Sequence, residues 1–150
     1  MKRFRFSLRP VAVLRAHREL QAREAFGVAV GALAAAERAL AATVARLREL
    51  EAMGVASRRD RFRAGEATAF QHAYQRACAN AAETEQRVVA ARAELQRRRA
   101  EYLEAYRQMK VVTRLEEKAR GAHRREIARL EQLELDEIAS LRAGRLPVLA

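Results

Sequence analysis

Proline is nearly missing from this sequence. Its two copies stand at positions 10 and 147, which leaves residues 11–146 as one proline-free stretch. Glycine occurs six times in 150 residues, asparagine once and tryptophan never, and aromatics make up 5%. Folds built of many strands need turn-forming Gly, Pro and Asn at short intervals, with β-branched or aromatic residues between them. These shortages exclude all-β and α/β folds. A single Cys78 excludes a disulfide framework and a cysteine-based zinc site, and fits a reducing compartment. Acidic residues are also in deficit: 30 Lys plus Arg against 19 Asp plus Glu give a net charge of +11.

Long hydrophobic runs are lacking as well. The start, Met1-Lys2-Arg3-Phe4-Arg5-Phe6, has the basic character of a signal peptide, but Arg9, Pro10, Arg15, Arg18 and Glu19 break any apolar core after it. The most apolar segment, Ala25 to Ala36, lies between Glu24 and Glu37, short of the roughly 20 residues that span a bilayer. The expectation is a cytoplasmic protein without membrane insertion.

What is abundant is alanine, 34 residues of 150, together with Arg, Glu and Leu. That is the composition of long helices and coiled coils. The apolar pattern agrees. Phe26, Leu33, Leu40 and Leu47 recur every seven residues, with Ala29, Ala36, Thr43 and Leu50 three positions after each. Downstream, Tyr74, Ala81, Val88, Leu95, Tyr102 and Met109 repeat the sevenfold spacing, and Phe70, Ala77, Thr84, Ala91, Arg98, Ala105 and Val112 take the alternate positions. A sustained 4-3 spacing is the seam of a coiled coil. After Met109, Glu116 falls where a seam residue is due, so a register shift through Leu115, Ala119 and Ala122 is expected there.

Turn signals cluster between the two series, in Gly54, Ser57, Asp60 and Gly65, with Ser57 and Asp60 able to cap one short helical turn. The sequence therefore predicts an all-α fold, an antiparallel two-helix coiled-coil hairpin with a longer second helix. It forms a single domain over 1–150, with helix one over 10–54, a turn over 55–65 and helix two over 66–142. Pro10 suits a first helical position, and Gly144 with Pro147 supplies a stop. Reversal near Asp60 places Leu50 beside Phe70 and Leu14 near Tyr106. The end of helix two then has little of helix one to pack against, so Ile127, Leu130, Leu133, Ile138 and Leu141 need a partner. Residues 1–10, with Phe4, Phe6 and Leu8, are available to cover part of them.

No catalytic constellation is present. Gly27-Val28-Ala29-Val30-Gly31 lies inside a helix and lacks the Lys and Ser or Thr of a phosphate loop. That GxxxG, continued by Ala35, is expected to let two helix backbones approach closely, with the sterics that membrane dimerisation motifs also use. His17, His72 and His123 are too scattered for a metal site, and no cofactor is implied. The charge excess also admits a basic coiled coil that binds nucleic acid, with Lys2, Arg3, Arg5 and Arg9 at the start and Arg58, Arg59, Arg61 and Arg63 at the turn. No groove-reading motif accompanies them, so no specific nucleic acid is expected. A scaffold that dimerises through its overhang is a third class.

The two ends of the chain resemble the flagellar export protein family FliJ. Phe4-Arg5-Phe6-Ser7-Leu8-Arg9-Pro10-Val11, followed by Leu14-Arg15 and Glu19, is similar to its F-x-F-x-L opening. Lys110 with Leu115-Glu116-Glu117-Lys118 is similar to its K-x-x-x-x-L-x-x-K segment. Glu131-Gln132-Leu133-Glu134-Leu135-Asp136-Glu137-Ile138-Ala139 is similar to its E-Q-x-E-x-D-E-x-A ending. The resemblance implies a non-catalytic stalk of the flagellar type III export apparatus, shaped like the central stalk of rotary ATPases. It implies a seat in the pore of a hexameric export ATPase (FliI-like) and contact with the export gate protein (FlhA-like), with export chaperones as further associates. The stalk of virulence type III secretion has the same plan. By this resemblance and by the overhang, the ATPase-facing residues are Ile127, Leu130, Glu131, Leu133, Asp136, Glu137, Ile138 and Leu141. The gate-facing residues implied are Phe70, Tyr74, Ala77 and Ala81. A monomer, peripherally associated with the apparatus at the inner membrane, is expected.

Overall fold

The computed structural model describes residues 3–59 and 63–143. They form two helices, α1 over Arg9–Arg59 and α2 over Ala64–Ala143, and no strand. The helices pack antiparallel, which is the helical hairpin with a longer second helix that the sequence predicts. Contacts divide the chain into two units, Met1–Glu19 with Ala105–Ala150, and Leu20–Glu104.

In the unit of Leu20–Glu104 the buried positions follow the expected seam. Ala29, Leu50, Ala77, Val88 and Thr84 are buried, and Leu33, Leu40, Leu47, Ala81, Ala91 and Leu95 are half-buried. No described side chain is fully enclosed, because each helix meets only one neighbour. The seam mixes small and flat residues. The Phe26 and Tyr102 rings stack at 5.9 Å with 5° between their planes. Arg98 occupies a seam position, its stem lying over the apolar line while its guanidinium reaches Glu94 at 2.8 Å and Glu101 at 3.1 Å. Hydrogen bonds from Arg97 and Arg98 hold the Glu94 carboxyl down at a pKa of about 2. Arg92 bridges to Glu37 on the other helix at 3.1 Å.

A pair of hydroxyls also meets across this seam. The hydroxyls of Thr43 and Thr84 lie 2.9 Å apart. Each also approaches its own helix's carbonyls, Thr43 that of Leu40 at 2.9 Å and Thr84 those of Asn80 at 3.0 Å and Ala81 at 2.9 Å. Two protons serve these acceptors, so one hydroxyl donates across the seam while the other donates to its own backbone. Neither is left unsatisfied.

Helix α1 runs five residues past Gly54, through Ser57, where a separate capped turn is expected. The reversal is displaced accordingly. Phe70 lies over Gly54, one turn beyond Leu50. An arginine-rich segment with no proline gives the backbone no reason to stop at Gly54, whose cost within a helix is only about 1 kcal/mol. At the start of α2 the Arg63 N–H donates to Glu66 Oε2 at 3.3 Å, and the Glu66 N–H donates to the Arg63 carbonyl at 3.0 Å. This is one half of a capping box. Asp60, Arg61 and Phe62 at the turn, Lys2, and the stop signals Gly144 and Pro147 lie outside the described residues.

In the unit of Met1–Glu19 with Ala105–Ala150 the seam keeps its 4-3 spacing where a shift is expected. Met109 and Glu116 are half-buried, Val112 is buried, and Ala119 and His123 follow half-buried, whereas Leu115 is exposed. Glu116 is tolerated because its carboxylate turns outward to Arg120 at 3.0 Å. On α1 the seam extends through Ala12, Arg15, Glu19 and Ala22, all half-buried or buried. Arg15 donates to Gln108 across it. By length and composition one helix, Arg9–Ser57, contains an 18-residue window apolar enough to cross a membrane, with mean hydropathy 1.5. This is a broader apolar stretch than the segment Ala25 to Ala36 suggests.

The threonine pair gives a test of how polar groups act in this seam. Thr43→Val and Thr84→Val each leave one seam hydroxyl without its cross-helix partner, at a cost of about 1 kcal/mol. The double variant removes both hydroxyls and is expected to recover most of that loss. Urea unfolding of the four proteins measures the coupling, and strictly additive losses would show that the pair contributes nothing.

Candidate partner-binding site

The N-terminal segment and the second half of α2 share the unit of Met1–Glu19 with Ala105–Ala150. The segment before α1 folds onto α2. The Arg9 N–H donates to the Phe6 carbonyl at 3.2 Å and the Ala12 N–H to the Leu8 carbonyl at 2.9 Å, which closes the first turn. Phe4 then tilts against the His123 ring at 5.5 Å. The Arg120 guanidinium sits 5.6 Å from the Phe4 ring centre, a cation–π contact. Phe4 and Phe6 are half-buried by this docking.

The cover ends there. Ile127 is half-buried, and every residue from 128 to 143 is exposed. Leu130, Leu133, Leu135, Ile138 and Leu141 stand 48%, 53%, 61%, 48% and 62% accessible, far above what core positions show. At 3.6 residues per turn, Ile127, Leu130, Ile138 and Leu141 share one face. Glu134 lies in the middle of that face, and Glu131 and Glu137 flank it. Leu133 stands at its margin. Asp136 is on the opposite side, where its carboxylate accepts from Gln132 at 2.9 Å and its backbone carbonyl accepts from Ser140 at 2.8 Å. Of the eight residues expected to face an ATPase, the helix brings Ile127, Leu130, Glu131, Glu137, Ile138 and Leu141 to one surface. Glu134, part of the same acidic run but not among those eight, is placed at the centre of the face by helical spacing.

The four residues implied for gate contact lie on the α1-facing side of α2. Ala77 is buried, and Phe70, Tyr74 and Ala81 are half-buried. Phe70 covers Gly54 and stacks on Tyr74 at 6.3 Å. The Tyr74 hydroxyl donates to Glu51 at 3.3 Å. The neighbouring Cys78, and then Glu51, push the Tyr74 phenol above its ordinary pKa. Glu51, Gly54, Val55, Phe70 and Tyr74 line a groove of about 290 Å³. Its accessible parts are the aromatic edges and the 57% exposed Val55, rather than Ala77. Among the described residues no group of His, Cys, Asp or Glu is arranged to hold a metal ion.

Gly54 is what allows this groove. A Cβ there would meet Phe70 Cζ at 2.8 Å, closer than real Cβ atoms approach. Gly27 and Gly31 have open space instead. Replacing them with Ala should add up to about 1 kcal/mol each by helix propensity. Gly54→Ala should gain less, because the Phe70 ring must move off the helix. Thermal unfolding compares the three variants, and aromatic proton shifts report the ring. An unshifted Phe70 spectrum in Gly54→Ala would contradict the contact.

Beyond the docked N-terminal segment, the hairpin presents one bare acidic and apolar helix face. Comparison with curated proteins and with solved structures gives no match. The family model described as "Flagellar FliJ protein" matches residues 4–146, nearly the whole chain, and so includes both the docked N-terminal segment and the bare end of α2. The chain belongs to the flagellar FliJ protein family, a component of flagellar protein export.

Proposed function

We propose that this chain is a cytoplasmic stalk of the flagellar export apparatus, seated through the pole that holds its N-terminal segment and the far end of α2 in the pore of the hexameric export ATPase. It works at the inner membrane as a peripheral component. The carrying observation is the face that starts at half-buried Ile127 and continues through exposed Leu130, Ile138 and Leu141, beyond the last contact of the N-terminal segment. An apolar face of that kind marks a partner surface. Glu131, Glu134 and Glu137 along it ask for a partner lined with basic as well as apolar groups. Many modest contacts spread over such a helix suit a stalk that must turn or shift within a ring. The groove edged by Phe70 and Tyr74 is the surface for the export gate, with Val55 and Glu51 as its accessible rim.

Deleting residues 127–150 should abolish stimulation of the cognate ATPase, while circular dichroism shows the remaining hairpin still helical. Charge reversal at Arg58, Arg59 and Arg61, in the turn region, should leave stimulation nearly intact. Substituting Lys for Glu131, Glu134 and Glu137 together should lower it strongly, with helix content unchanged. A truncated chain that still stimulates, beside a turn variant that does not, would reverse the assigned polarity.

A further inference from the structure

Gly27 and Gly31 are exposed and lie off the seam, and a Cβ on either meets nothing within 4 Å. Around them the outer side of α1 carries Leu20, Val28, Ala35 and Ala42, all exposed, with Val28 at 74%. The apolar window of this helix, with mean hydropathy 1.5, is almost wholly unburied. Two charges stand in this outer line, Glu24 and Arg38, and among the described residues neither forms an ion pair with any of the charged groups around it.

The placement of those charges selects the occupant. Glu24 and Arg38 each lie seven residues from Gly31, on opposite sides. When a second α1 crosses antiparallel about a twofold axis at Gly31, Glu24 faces Arg38 of the second copy, and the reverse pair forms at the other end. The same operation sets Gly27 against Ala35 and Leu20 against Ala42. Glycine and alanine at the centre let the two backbones approach closely. A parallel arrangement would instead set Glu24 on Glu24 and Arg38 on Arg38. Self-complementarity of this kind is what an isologous contact requires and what an unrelated partner has no use for. We propose that the outer face of α1 centred on Gly31 is a self-association surface that takes a second copy of this chain in antiparallel register, where the sequence alone suggests a monomer.

Sedimentation equilibrium of the full chain at low salt tests this, and the wild type is expected to dimerise. Gly31→Leu should be monomeric with unchanged circular dichroism, since nothing in the hairpin meets a side chain at that position. E24R and R38E alone should each weaken the dimer at least about tenfold, equivalent to about 1.4 kcal/mol. Mixed in equal amounts, those two variants should associate with each other, because both facing pairs are then of opposite charge. The double variant E24R/R38E should recover the wild-type association. Three results would overturn the proposal. These are a wild type monomeric at its highest soluble concentration, a dimer indifferent to the charge variants, and a dimer that Gly31→Leu retains. Co-sedimentation of a monomeric wild type with vesicles of phosphatidylglycerol and phosphatidylethanolamine would assign the face to lipid instead.

Discussion

Two helices that meet along one seam can each hide only one stripe, and everything else in this protein depends on that limit. Where each helix meets only the other, no described side chain becomes fully enclosed. Stability then rests on many partial burials rather than on a few deep ones, and small residues such as Ala29 and Ala77 are as well buried as Leu50. The same limit explains why charged residues enter the seam at little cost. Arg98, Glu116 and Arg15 keep their stems on the apolar line while their charged heads reach partners at its edge. In a thicker core each would carry the desolvation penalty of a buried charge.

A seam of this sort slides easily unless something fixes its register, because Ala and Leu repeat with little to tell one heptad from the next. The Thr43–Thr84 pair and the Phe26–Tyr102 stack both lie in the unit of Leu20–Glu104 and give it distinct pairs. A slip of one heptad would separate the two hydroxyls and move the Phe26 ring off its partner. Polar residues within coiled-coil seams elsewhere specify register in this way at some expense of stability. Gly54 under Phe70 adds a third fitted pair, since one heptad earlier α1 offers the ring Leu47 instead of open backbone.

The fold was legible because its information is periodic. The series from Phe26 to Leu50 and from Phe70 to Val112 identify the buried faces, and the structure buries those positions. What apolar spacing hid was the seam's continuation through charged residues. Arg15 and Glu19 on α1, and Glu116 and His123 on α2, hold seam positions that a hydrophobic pattern scores as breaks. The expected shift toward Leu115 arose from that blindness. The extent of α1 was misjudged for a related reason, since Gly54 reads as a stop unless a ring lies over it. The outward direction of Gly27 and Gly31 is a matter of phase: both fall on the side opposite Phe26 and Leu33, which the GxxxG motif by itself does not reveal. At the candidate site, the bare face of α2 was legible from chain length alone, while the separation of Asp136 from the other acidic residues required the helical phase.

The exposed end of α2 raises a physical question of its own, because an unsupported helix of that length is only marginally stable in water. Three local features favour its order. It propagates from a seam already formed, so no new nucleus is needed. Glu126 pairs with Arg129 at 3.0 Å, which holds the Glu126 carboxyl below its ordinary pKa, and Gln132 donates to Asp136 one turn on. Proline is absent from it. A face ordered in advance loses less conformational freedom on binding than one that must fold against its partner. Such a face also keeps its spacing: Ile127, Leu130, Ile138 and Leu141 arrive with Glu131, Glu134 and Glu137 already interleaved. The partner's groove therefore has to match a fixed alternation of apolar and acidic groups along about four turns of helix, and a groove that is merely hydrophobic would leave three carboxylates desolvated and unpaired. That requirement narrows the choice of partner far more than exposure of leucine and isoleucine could by itself.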